Sequence, residues 1–151
     1  MMQTLLTHIP STLLHLIAGA LLMDTFFKGR KYPFLKRLSI MAYGGLLVIT
    51  LDIPKLFGFI FTHSLFFLPV LSFGLALLTK RFIVSTLMKN WAFIILILLI
   101  GGIAIDFFGN GAHLWYPLSE KNVSFSIIQR EWVLLVILIL IFMFRLIPFN
   151  R

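Results

Sequence analysis

A chain of 151 residues in which 60% are apolar, only 12% are charged and the mean hydropathy is +1.05 cannot remain a soluble domain on its own. Its formal charge of +8 would suit a nucleic-acid partner, but the basic residues stand at the ends of apolar runs and not along one face, so no nucleic acid is expected. There is no cysteine, which excludes disulfides, thiolate metal sites and cysteine nucleophiles and leaves histidine and carboxylate as the available metal ligands.

A membrane-spanning helix needs about 20 largely apolar residues, with about 17 as a lower limit. Five segments approach that length, so the fold expected is an all-α, polytopic transmembrane helix bundle occupying residues 1–151 as one domain. The first helix covers residues 10–27, with Ser11 as its N-cap and Pro10 outside it. No basic stretch or small-residue cleavage site marks it as a removable signal peptide. The second covers residues 38–53 and stops before Pro54; the third covers 62–79, kinked at Pro69. The fourth covers 91–108, with residues 109–131 after it as the one sizeable polar segment, an outer loop. The fifth covers 132–149. Its uniformly apolar run from Val133 to Phe144 places it at a lipid-exposed edge, with Arg145 snorkelling to the interface. Gly44-Gly45 and Gly101-Gly102 are expected to let helices two and four approach their neighbours closely.

The basic residues alternate between the two sides of this bundle. Lys28, Arg30, Lys31, Lys36, Arg37, Lys80, Arg81, Lys89, Arg145 and Arg151 fall on one side, and Lys55, Lys121 and Arg130 on the other. The positive-inside rule then predicts an outer N-terminus and a cytoplasmic C-terminus, in a bacterial or archaeal inner membrane with membrane lipids as partners.

Ionisable groups within a span cost at least a few kcal/mol each, so each one calls for a partner or a function. Counted from the basic residue at the cytoplasmic end of its own helix at about 1.5 Å per residue, His15 lies roughly 20 Å deep, Asp52 roughly 22 Å, and His63 and Asp106 roughly 25 Å. Four helices thus put one polar group each into the outer third of a core about 30 Å thick. Two histidines and two carboxylates suit a divalent ion such as zinc, manganese or iron, with room for water. Such an ion supports hydrolysis, with a carboxylate available to take the proton.

Each residue also has a simpler reading. His63, in Thr62-His63-Ser64, could cap helix three; Asp52 and Asp106 could be interfacial helix-end residues, although an acid at a helix C-terminus opposes the macrodipole and calls for a cation. His15 could hydrogen-bond a neighbouring helix. Asp24, four residues before Lys28, reads as half of a local ion pair. His8 could substitute for His15, and His113, beside the interfacial aromatics Trp115 and Tyr116, is an additional candidate ligand.

At these residues the sequence resembles the YdjM-like membrane-bound metal-dependent hydrolases. His15-Leu16-Ile17-Ala18-Gly19 corresponds to the family's early His-x-x-x-Gly, and Leu51-Asp52-Ile53 to its Leu-Pro-Asp-Ile-Asp stretch. Phe61-Thr62-His63-Ser64-Leu65 corresponds to its Thr-His-Ser motif, and Asp106 with the segment from Gly111 to Ser119 to its Asp and Gly-Val-x-Leu-Leu-Trp-Pro elements. Four departures stand out: Pro54 occupies the second Asp of Asp-x-Asp, Gly58 and Phe59 replace a His-Arg pair, Gly102 replaces a histidine, and the gap from Asp106 to Gly111 is one residue shorter. The resemblance implies a metal-dependent hydrolase, and the outer-leaflet depth of the polar residues points to a lipid or lipid-linked phosphate or ester as its substrate. Asp52, His63 and Asp106 would be catalytic, and the same three with His15 would bind the metal. The competing expectation is a non-catalytic membrane subunit that binds a partner helix or a lipid head group. A small transporter is a third, disfavoured by the lack of an inverted repeat.

Overall fold

The computed structural model describes the backbone of residues 2–80, 86–125 and 131–147, and within these the side chains other than those of residues 2–9, 30, 55, 56 and 131. The described chain is helical, with one isolated bridge and no strand. Five helices form it: α1 (Met2–Phe26), α2 (Phe34–Leu56), α3 (Leu68–Thr79), α4 (Leu87–Phe108) and α5 (Glu131–Leu146). Two of these stretches, Phe34–Pro54 and Leu87–Phe108, are long and apolar enough to cross a membrane.

Prolines account for most differences from the expected boundaries. α1 starts at Met2 and carries Pro10 inside it, and α2 continues through Pro54 to Leu56. A proline within a helix removes one hydrogen bond without ending the helix when its neighbours still favour it. Pro69 does not kink α3 but opens it, in the first turn where a missing N–H leaves no bond unmade. Residues 60–63 therefore form a separate 3-10 turn, Ile60–His63, rather than the start of a helix at residue 62. α4 likewise begins at Leu87, four residues before the expected position.

Glycine sets the distance between α1 and α2. A Cβ at Gly19 would stand 2.5 Å from the Gly44 carbonyl oxygen, one at Gly44 would collide with Met23, and one at Gly45 would stand 2.8 Å from the Leu16 carbonyl oxygen. The backbones touch, as small-residue crossings allow. α4 packs against them: Leu99–Ala104 forms a π-helical turn, and Gly102 within it lies against the Leu51 side chain. Met23, Leu47, Val48, Leu51, Ile94, Ile97 and Ile103 fill the space between these three helices.

α3 is held at the side. The Trp91 indole N–H of α4 donates to the Pro69 carbonyl and the Ser72 hydroxyl, both at 3.0 Å, and the Tyr43 and Thr79 hydroxyls pair at 3.1 Å. α5 packs on α1 and buries Leu135 fully, leaving Val136, Leu140, Met143 and Phe144 exposed. Exposed large apolar residues also run along the other helices, among them Leu46, Val70 and Met88, while Asp24, Arg37, His15, His63 and Asp106 are buried.

Asp24 does not pair with Lys28. Its carboxylate accepts two bonds from Arg37, Nε to Oδ1 at 2.7 Å and Nη2 to Oδ2 at 2.8 Å, and a third from Arg145 Nη1 at 2.8 Å. Lys28 leaves α1 in the left-handed conformation and is exposed, whereas α2 presents a planar guanidinium that matches a carboxylate edge. Arg145 accordingly reaches inward from α5 rather than snorkelling outward, and ties α5 to α1.

The loop after α4 folds back on the Thr62–Ser64 turn. Ala112 and Val123 exchange backbone bonds at 3.0 Å, the Leu65 N–H donates to the Leu114 carbonyl at 3.0 Å, and the Ser64 hydroxyl donates to the Tyr116 carbonyl beside a cis Tyr116-Pro117 bond.

Candidate metal centre

Four elements each deliver one ligand-bearing side chain to a common point. α1 supplies His15, the end of α2 supplies Asp52, the 3-10 turn supplies His63 and the last turn of α4 supplies Asp106. The Gly19–Gly44 crossing lies one helical turn beyond His15, so it is what brings α1 near enough to α2 for His15 to meet Asp52. The connection between α2 and α3 then turns His63 back toward the same place.

Hydrogen bonds decide which ring nitrogen faces inward. His15 Nδ1 lies 2.7 Å from the Gly101 carbonyl oxygen, in the π-turn of α4. A carbonyl can only accept, so Nδ1 carries the proton and donates it. The Thr62 hydroxyl donates to the Leu51 carbonyl at 2.8 Å, which leaves its oxygen to accept from His63 Nδ1 at 3.3 Å. Both histidines are therefore held by Nδ1–H and turn Nε2 inward, the arrangement by which outer partners orient metal-ligating histidines.

Both Nε2 atoms meet carboxylates. His15 Nε2 is 3.1 Å from Asp106 Oδ1 and 3.9 Å from Asp52 Oδ2. His63 Nε2 is 2.9 Å from Asp106 Oδ2 and 3.2 Å from Asp52 Oδ1. The side chains of His15, His63 and Asp106 are 2%, 1% and 3% exposed, while that of Asp52 is 20% exposed. With neutral rings each Nε2 lone pair would face carboxylate oxygens, which is repulsive, and the enclosed Asp106 carboxylate, with Asp52 beside it, calls for positive charge. A cation among them answers both. Ligand atoms about 2.1 Å from one ion stand about 3.0–3.4 Å from one another, and two of the four contacts, at 3.1 and 3.2 Å, have that spacing, with a third just below it at 2.9 Å. One ligand atom each from His15, Asp52 and Asp106 lie within 4.8 Å of one another, a buried group that could hold a metal ion.

The other candidates lie elsewhere. His113 Nδ1–H donates to the Glu120 carbonyl at 2.9 Å within the α4–α5 loop, and the His8 side chain lies outside the described residues. Sequence reasoning missed the partners that orient the histidines. Thr62 adjoins His63 and could have been suspected, but the Leu51 and Gly101 carbonyls are backbone atoms with no signature of their own. Thr62-His63-Ser64 proves to be three separate devices: Thr62 orients the ring, His63 faces the carboxylates, and Ser64 pins the loop at Tyr116 while accepting from the Phe66 N–H at 3.1 Å. No protein-family model, curated protein or solved structure matches the chain, so the geometry of this centre carries the functional reading.

Proposed function

We propose that this chain is an integral membrane hydrolase, in which His15, Asp52, His63 and Asp106 hold a divalent metal ion and cleave an ester or phosphoester of a lipid or lipid-linked substrate. The observation that carries the reading is the pair of inward Nε2 atoms set against two shared carboxylates, each ring anchored through Nδ1–H. A divalent ion bound there lowers the pKa of a coordinated water toward about 7 and polarises the phosphoryl or carbonyl oxygen. Asp52, the most exposed of the four, stands where water and substrate arrive. It takes the proton as the water oxygen bonds to phosphorus or carbonyl carbon. The bond to the ester oxygen breaks, and that oxygen recovers the proton to leave as an alcohol.

Apolar residues exposed along all five helices support placement of the whole bundle in a bilayer, with the two long helices fully spanning and the N-terminus outside. The chain's lack of cysteine makes this directly testable. Single cysteines at Lys31 and Asn122 are expected to label from opposite faces, with Asn122 open to an impermeant maleimide outside intact cells. Equal labelling at both positions would refute the topology.

The metal reading is tested by elemental analysis of detergent-purified protein. Wild type is expected to carry zinc, manganese or iron in stoichiometric amount, and His15→Ala to lose it. Wild type free of metal after equilibration with each ion would end the hydrolase reading. The four residues would then be two imidazolium–carboxylate pairs in a non-catalytic membrane subunit.

A further inference from the structure

The two histidines use different atoms of the same carboxylates. His15 faces Asp106 Oδ1 and Asp52 Oδ2, and His63 faces Asp106 Oδ2 and Asp52 Oδ1. The ligand atoms thus divide into two sets of one nitrogen and two oxygens, which share both carboxylates and no atom. In the neutral His63 ring the proton is on Nδ1, directed at a Thr62 oxygen whose own hydrogen goes to Leu51. In that tautomer the inward Nε2 of His63 can serve as a ligand, as that of His15 can.

We propose that the centre binds two divalent ions, one on the His15 side and one on the His63 side, bridged by Asp52 and Asp106. The proposal rests on the metal reading above and extends it to a second ion and a substrate class. A carboxylate that gives one oxygen to each of two ions suits paired sites about 3.5–4 Å apart, the spacing that clamps the attacking and leaving oxygens of an in-line displacement. Charge selects the substrate. One ion neutralises the two aspartates, whereas two ions leave a formal charge of +2 in a site enclosed on all but the Asp52 side. An anionic phosphoryl group compensates that charge and a neutral carboxyl ester does not, so the substrate is a phosphoester. With both Asp52 oxygens given to the ions, Asp52 would bridge rather than take the proton, which would pass to the departing alcohol as water adds its oxygen to phosphorus and the bond to the ester oxygen breaks.

Metal stoichiometry decides the matter. Detergent-purified full-length chain, equilibrated with Mn2+ or Zn2+ and freed of excess ion, is expected to retain two ions per chain, the manganese form giving an exchange-coupled EPR spectrum. His63→Ala is expected to retain one Mn2+ with an uncoupled spectrum. Thr62→Val, which leaves His63 in place but unanchored, should weaken the second ion alone by about 10–100-fold. Wild type retaining a single ion with either metal would overturn the two-ion proposal and leave the single-ion hydrolase standing. Wild type retaining none would overturn both. Two ions retained with His63→Ala unchanged would place the second ion elsewhere and would also overturn the proposal.

Discussion

Replacing Asp106 with asparagine is expected to remove bound metal, hydrolytic activity and the stabilisation that metal confers together. Asp106 lies within 3.1 Å of both histidines, and its side chain is 3% exposed. Asparagine keeps its shape and loses its charge. Substituting an outer partner of a ligand typically costs 10–100-fold in metal affinity, so removing the charge of a ligand shared by both histidines should cost more than about 100-fold. In the absence of metal the same change removes the acid nearest both Nε2 atoms, so the unfolding temperature of each metal-free form is the reference against which the effect of metal is read. Adding Mn2+ at about 100 times its dissociation constant should stabilise wild type by about 2.7 kcal/mol and leave the variant nearly unmoved. Thermal unfolding in detergent, with and without the ion, reads both effects. A variant that still gained stability from Mn2+ would show that Asp106 is not a ligand.

The polar residues of the centre were legible because an ionisable group in an apolar helix is conspicuous and its depth can be counted. His15, Asp52, His63 and Asp106 come from four separate elements at similar counted depth, and the structure brings them into contact. Helix boundaries were less legible, for a physical reason. Proline removes a donor wherever it stands, but whether that starts a helix, as at Pro69, or is tolerated inside one, as at Pro10 and Pro54, depends on what packs around it. Partners distant in sequence were not legible at all. Lys28 was the local choice for Asp24, yet Arg37 and Arg145 reach it only because α1 lies against both α2 and α5. Gly102 illustrates the same limit from the other side. It stands where the family pattern has a histidine, and a Cβ there would meet the tip of the buried Leu51 side chain, a packing contact between distant residues that has no signature in the sequence.

Asp24→Asn is expected to destabilise the bundle by about 3–5 kcal/mol while leaving metal content per folded chain unchanged, because a buried ion network loses the acid that both arginines share. The Asp24 carboxylate is 0% exposed and accepts from both Arg37 and Arg145. An asparagine there offers neither guanidinium a charge. Arg145, 28% exposed, can swing toward the interface, but Arg37, at 10%, stays enclosed with an uncompensated charge. Adding Arg37→Met should therefore recover most of the lost stability, since replacing a buried pair by apolar side chains of similar volume is often neutral or stabilising. Asp24 lies nine residues beyond His15 on α1, about 13 Å along the helix axis, far enough for the two regions to behave independently. Chemical unfolding in detergent measures the first effect and elemental analysis of the folded fraction the second. If Asp24→Asn emptied the centre as Asp106→Asn does, the ion network and the metal centre would be one cooperative unit, and independent action of the two ends would be refuted.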